Sequence, residues 1–386
     1  MFKKLNRHHT RSAKWESVRH TMNQNDYLVF SVADSDYPTC EVIIETLKKR
    51  IDHGAFGYTL IDDEYNQAIV KWWERRYDVS IKPSWIVPSS KVLALLSAAI
   101  EVYTQKHEKV LIQTPVYHVF FPLINHLDRT LIVNPLHYID NYYSIDFSHL
   151  ESQFKLGVKA MVLCNPHNPV GRVWRYQELK KLVHLCKTYD VVLISDEIHA
   201  DIIMKSHKFT SVGHFFDIYQ RLIIVHAPSK TFNVAGLHSA YAVIVDKTLR
   251  DTLKTTLMKR FMYGSNTLAI ETLISAYSQC DDWVDAQNQH VYTNYLKLKD
   301  FLAETMDGVH LLPLEGSYLA WLDMTKLGLS SKSLSRMLKS EGIVLSEGLA
   351  FGEQCDGFMR MNLAVADEQL EEGLMRLKRA LKKKIP

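Results

Sequence analysis

The sequence predicts an α/β protein, with a mostly parallel, seven-stranded sheet in a large domain and a smaller α+β domain at the C-terminal end. The first sign is a set of short apolar and β-branched runs at 85–88, 110–112, 131–133, 160–163, 191–194, 222–225 and 241–245. They are continuous rather than alternating, the pattern of strands buried on both faces of a parallel sheet. The second sign is helical periodicity between them, as over 174–189. The third is a break: after Val245 the strand rhythm stops and a long helical stretch, 247–306, takes over.

Residues 1 to about 40 read as irregular and polar. Pro38 stands where it can open a helix over 41–52, in which Val42, Ile43, Leu47 and Ile51 recur at helical spacing. Glycine ends that helix at Gly54, and the period resumes over 63–77 through Tyr65, Ile69, Trp72 and Trp73. The strand at 85–88 leads into Ser89 and Ser90, placed as the N-cap of a helix over 92–103. A strand feeding a helix N-terminus suits an anion, because the first-turn N–H groups are unpaired and the dipole favours negative charge. Beyond 306, strand-like pieces at 309–312, 316–322, 343–345 and 358–362 surround a helix over 331–340, and a last helix starts at Glu368. The expected division is a segment at 1–45 packing on the small domain, a large domain at 46–285 and the small domain at 286–386.

With 386 residues, 47% apolar and 23% charged, the chain has globular composition and the size for two domains, which excludes disordered, collagenous and disulfide-scaffold classes. A net charge of +3 is too slight to point to nucleic acid or a membrane surface, and the basic residues at 379–384 read as the last turn of a helix. Five scattered cysteines without a C-x-x-C pair read as free thiols in a reducing compartment. The chain opens without an apolar signal region and holds no apolar stretch of bilayer length, so a soluble, cytoplasmic protein is expected. Walker, G-x-G-x-x-G, G-x-S-x-G and H-E-x-x-H motifs are absent, and no metal site is expected.

In open α/β sheets ligands lie beyond the carboxyl ends of the strands. Here those ends carry Tyr117 in QTPVY, Asn168 in NPHNPVG, Asp196 and His199 in SDEIH, and Ser229 and Lys230 in PSK. Each has a plain reading by itself: Tyr117 as packing, Asn168 as a turn former, Asp196 as a helix cap, Lys230 as a solvated loop lysine. Together they suit a heteroaromatic aldehyde, which needs an amine for an imine, a buried carboxylate for its ring nitrogen, a flat ring to stack on and an anion site for a phosphate. Pyridoxal phosphate sites supply that Lys and Asp pair.

The string SKTFNVAGL at 229–237, with DEIH and NPHNPVGR before it, resembles the fold type I class I/II aminotransferase superfamily, and most of all its cystathionine β-lyase branch, the MalY/PatB group. VADSD at 32–36, FGYT at 56–59, EGSYL at 315–319 and RMN at 360–362 extend the resemblance over nearly the whole chain. The resemblance implies the pyridoxal-phosphate fold type I and a cofactor held by Lys230 as a Schiff base, with Asp196 on the ring nitrogen. It places Asn168 and His199 at the ring hydroxyl, Tyr117 on the ring, and Ser229 with the N–H groups of Val92 and Leu93 at the phosphate. Arg360 would bind the substrate carboxylate, with Asp34 and Asn168 also on the substrate, and Tyr58 would reach the phosphate or substrate across a homodimer interface.

Three positions depart from the pattern. His238 stands where many aminotransferases have an arginine, Lys91 where the branch usually has glycine, and Ser35 where it often has methionine. Lys91 reads either as a compensating cation or as a solvent-facing side chain. The expected activity is a carbon–sulfur β-lyase acting on L-cystathionine or other cysteine S-conjugates. An aminotransferase uses the same residues, and a protein-binding regulator retaining the fold is a reading of another class.

Overall fold

The computed structural model describes residues 2–19, 22 and 26–382. Its main sheet has seven strands in the spatial order Ile86–Ser89, Ala240–Val243, Leu222–His226, Val192–Asp196, Val158–Cys164, Lys109–Thr114 and Thr130–Pro135. Only Ala240–Val243 runs antiparallel to its neighbours. The continuous apolar runs are explained by burial on two sides. Leu111, Met161, Leu193 and Ile224 belong to one buried cluster, while Ile112, Val162, Ile194 and Val225 belong to a second. Successive strand residues point to opposite faces, so both faces demand apolar side chains.

A smaller antiparallel sheet takes the order His310–Leu311, Leu319–Asp323, Phe358–Asn362, Ser346–Glu347. The N-terminal segment joins this region through Leu28–Val29, which pairs in parallel with Ile343–Val344. Helices Asp63–Tyr77, Val92–Tyr103 and Ser331–Ser340 have the bounds that the apolar periodicity predicts.

Several local expectations are corrected. The first forty residues contain a helix, Ala13–Arg19, besides that strand. Pro38 precedes rather than opens its helix, which spans Glu41–His53 with Cys40 at the N-cap. Ser89 is the last strand residue and its hydroxyl donates to the Met262 carbonyl at 2.9 Å; the N-cap is Lys91, which makes no side-chain cap. The stretch 247–306 is three helices, Lys247–Lys259, Thr267–Gln279 and Asp281–Thr305, because Asn266 caps the second by accepting from the Ala269 N–H at 3.0 Å. A hairpin, His137–Ile139 with Tyr142–Ser144, was signalled by Asp140-Asn141, both at positive φ. The final helix is Asp367–Lys382, so the basic residues at 383 and 384 lie outside the described residues. All five cysteines are buried free thiols. Among the described residues no helix is long and apolar enough to cross a membrane.

Candidate active site

Thr114, Cys164, Asp196 and His226 end four parallel strands of the main sheet at one edge. Beyond this edge lies a cavity of about 220 Å³ lined by Val92, Leu93, Tyr117, Ser229 and Lys230, with Lys91 and His238 also on its wall. Larger hollows, of about 410 Å³ beside Arg7 and Trp15 and about 620 Å³ beside Tyr263, lie away from the strand ends.

Lys230 sits in a tight turn, where the Phe232 N–H donates to the Pro228 carbonyl and the Val234 N–H to that of Ser229, at 3.0 and 3.1 Å. Fully buried Phe232 anchors the turn from below. The amine of Lys230 donates to the Ala33 carbonyl at 2.8 Å. Asn233 brings that segment in, accepting from the Ser35 N–H at 3.2 Å and donating to its carbonyl at 3.0 Å. Burial lowers the pKa of Lys230, while Asp34 and Asp196 act against the shift.

Asp196 is 3% exposed and accepts one backbone hydrogen bond, from Ile198 at 3.3 Å. Burial therefore pushes its carboxyl up to about 7, against the pull of Lys230. His199 is buried with Nδ1 at 3.1 Å from the Ser317 hydroxyl. Burial, with Lys230 and Arg360 nearby, holds its imidazole neutral. Asn168 accepts from Arg360 Nη1 at 2.8 Å, while Nη2 donates to the Ser31 carbonyl at 2.7 Å and the Ser346 hydroxyl at 3.2 Å. The Arg360 guanidinium lies 4.6 Å from the ring centre of Phe351, and its buried Nε has no partner among the described residues. Burial pushes it down to about 10, which leaves it charged near neutrality. Tyr117 is partly buried, and burial beside Asp196 raises its phenol.

Tyr58, expected to act across a dimer interface, does not line this cavity, and neither does Asp34, which lies close enough to Lys230 to act on its amine. Tyr58 is fully exposed and does not line the cavity of its own chain. Asp34 is held by Arg7, whose two terminal nitrogens donate to its two oxygens at 2.6 and 3.0 Å. Reading residues 1–40 as irregular gave no reason to single out Arg7. Ser31, Phe351 and Glu197 were missed as well, although Glu197 stands within the quoted DEIH.

Glu197 is fully buried; Oε1 accepts from the Ser195 hydroxyl and the Val212 N–H, each at 3.0 Å, and Oε2 has no partner among the described residues. Burial pushes this carboxyl up to about 7. A carboxyl whose pKa is raised on folding is stabilising below its unfolded value, and that contribution is lost as pH rises toward the folded value. Glu197→Gln is therefore expected to gain stability relative to the parent between about pH 4.5 and 7, by roughly 1 kcal/mol per pH unit. Denaturant unfolding of both proteins across that range checks the sign, and a difference that does not grow with pH refutes it.

The residues present suit a flat, phosphate-bearing heteroaromatic aldehyde. Among the described residues no cationic N–H donates to the buried Asp196 carboxylate, and a protonated ring nitrogen is such a donor. The N-terminus of helix Val92–Tyr103, Ser229, Lys91 and His238 give one part of the wall N–H, hydroxyl and basic groups for an anion. Lys230 supplies the amine.

Comparison with known proteins agrees with this geometry. The family model described as aminotransferase class I and II matches residues 24–377. Cystathionine beta-lyase PatB of Bacillus subtilis is 36% identical over 96% of this chain and 97% of its own length. Protein MalY of Escherichia coli is 30% identical over 98% of each chain. Cystalysin from Treponema denticola, whose crystal structure contains a pyridoxal 5'-phosphate cofactor, superposes with a TM-score of 0.95 at 32% identity, covering 99% of this chain and 98% of that one. With a family match over most of its length and two such relatives spanning almost all of it, the chain belongs to the class I and II aminotransferase family, in its MalY/PatB branch.

Proposed function

We propose that the protein is a pyridoxal-phosphate-dependent carbon–sulfur β-lyase, which cleaves L-cystathionine or another cysteine S-conjugate to a thiol, pyruvate and ammonia. The observation that carries the proposal is the placement of the Lys230 amine and the buried Asp196 carboxylate beyond the ends of two adjacent parallel strands. The lyase names of PatB and of the Corynebacterium glutamicum cystathionine beta-lyase, 29% identical over 95% of this chain, support the reaction class.

When bound, the cofactor supplies an electron sink for the pair released at the substrate Cα. Arg360, which has no carboxylate partner of its own among the described residues, takes the substrate carboxylate and turns the Cα–H toward Lys230. Burial lowers the pKa of Lys230, so its amine is more readily neutral and accepts that proton. Asp196 keeps the ring nitrogen protonated. Asn168, whose oxygen already serves Arg360, and neutral His199 would hold the ring oxygen. The N–H groups of Val92 and Leu93 and the Ser229 hydroxyl would hold the phosphate, and Tyr117, on the same cavity wall, would hold the ring. As the Cβ–S bond breaks, its electron pair leaves with sulfur as a thiolate, and the released enamine hydrolyses to pyruvate and ammonia.

Tyr58 completes the site of a second copy in a homodimer. In support, Phe56, Tyr58 and Leu60, alternate residues of one segment, are 57%, 112% and 85% exposed, a run of large apolar side chains left in solvent on this chain. The aminotransferase reading is favoured by the description of the matching family model and by the aminotransferase names of some relatives. The two readings separate cleanly: the loaded enzyme, given L-cystathionine and no oxo acid, is expected to release thiol and pyruvate in equal amounts. Turnover that strictly requires an added oxo acid would decide for the aminotransferase.

A further inference from the structure

The turn carrying Lys230 is gripped at both ends by a buried polar chain that the chemistry above does not use. His226 closes the strand leading into the turn, Thr231 follows the lysine, and both are fully buried. The hydroxyl of Thr231 donates to Oδ2 of Asp201 at 2.7 Å. Oδ1 of the same carboxylate receives the Tyr77 hydroxyl and, at 3.1 Å, the Trp72 indole N–H. Asp201 is itself 3% exposed, so its charge is balanced by donors rather than by water.

Donor counting assigns each proton. Tyr77 gives its only hydrogen to Asp201, so His226 Nε2, 2.7 Å away, donates to the Tyr77 oxygen. Nδ1 of His226 is then an acceptor, and the Tyr277 hydroxyl at 3.2 Å supplies its hydrogen. Tyr277 receives the Tyr241 hydroxyl at 3.4 Å, and Tyr241 receives the Trp73 indole N–H at 2.9 Å. The hydrogens thus run one way, from Trp73 to Asp201. Burial keeps His226 neutral with its pKa pushed down to about 4, as this single-proton role requires. On the far side, the Thr231 carbonyl accepts from Gln287 Nε2 at 3.0 Å and the Asp201 carbonyl from Asn288 Nδ2 at 2.8 Å.

We propose that Asp201 is a positioning residue for Lys230, holding the turn through Thr231 and His226 against helix Asp63–Tyr77 so that the lysine amine keeps one direction in the cavity. The proposal rests on the reading that Lys230 holds the cofactor. A lysine stem has four rotatable carbons, so the direction of its amine depends on how firmly the attachment point is held; a buried chain of hydrogen bonds running from Trp73 to Asp201 and Thr231 holds it. Asp201 also ends the turn begun at Glu197, whose carbonyl accepts from the Ala200 N–H at 3.0 Å. One carboxylate therefore ties the His199 turn to the Lys230 turn.

The test compares Thr231→Val, which keeps the shape and removes the donor, with Thr231→Ser, which keeps the donor. Each protein, with the parent and Lys230→Ala, is titrated with pyridoxal phosphate, reading affinity from the visible absorbance and geometry from the circular dichroism of the cofactor band at saturation. The valine variant is expected to bind about ten-fold more weakly with a diminished dichroic band, and the serine variant to stay within about two-fold of the parent. Parental affinity and dichroism in the valine variant overturn the proposal even if its melting temperature falls, since that is a purely structural role. A serine variant as impaired as the valine one overturns it too. If the parent shows no cofactor band, or Lys230→Ala keeps the parental one, the cofactor reading itself fails. Should Thr231→Val not fold, Tyr77→Phe, which takes a donor from the other Asp201 oxygen, is read by the same two measures, and unchanged values refute the proposal.

Discussion

Replacing Lys230 with alanine is expected to reduce carbon–sulfur cleavage by about 10³-fold or more, since the general base and the cofactor's covalent anchor are lost together. The fold should survive the change. Lys230 makes one hydrogen bond, to the Ala33 carbonyl, and burial makes its charged form costly rather than stabilising. A covalent readout separates the anchor from general damage: borohydride reduction of the loaded parent should add the cofactor mass to the peptide containing Lys230, and no adduct should form in the variant. Cleavage retained near the parental rate, or an adduct on another lysine, would refute the assignment.

Replacing Arg360 with lysine is expected to lower kcat/KM by about 10²-fold, roughly 2.7 kcal/mol, mostly through KM. The guanidinium is 4% exposed, lies over Phe351 and is held from two sides by Asn168 and Ser31, so its planar fork is oriented before any substrate arrives. A lysine ammonium keeps the charge but neither the fork nor the second donor direction. The cofactor band should stay close to the parental one, because Arg360 itself is not expected to touch the cofactor and a lysine at this position still offers Asn168 a donor. Steady-state kinetics with a cysteine S-conjugate, beside the absorbance spectrum, checks both halves; an unchanged KM would remove Arg360 from the substrate carboxylate.

The candidate site was legible in part because its members stand at strand ends, and strand ends can be read from apolar runs. Asp196 and Ser229-Lys230 follow such runs directly, and the register that sets Asp196 beside Val225 brings their strands together. Partners far apart in sequence were not legible. Arg7 grips Asp34 from 27 residues away, fully buried Lys14 pairs with Asp36 at 2.8 Å, and Thr231 meets Asp201 across 30 residues. Nothing in the spacing of these residues marks them. An arginine or lysine in a polar segment reads as surface until the fold buries it against a carboxylate.

The sequence by itself determined the doubly buried parallel sheet, the bounds of several helices and the residue types at the strand ends, because periodicity and side-chain class are local properties of the chain. The tertiary structure alone decided which side chains meet. It turned Asp34 toward Arg7, left Tyr58 in solvent on its own chain and set Asp201 beneath the Lys230 turn. Those outcomes depend on burial, which raises or lowers each ionisable group and makes an unpaired polar atom costly, and burial exists only once the whole chain has packed.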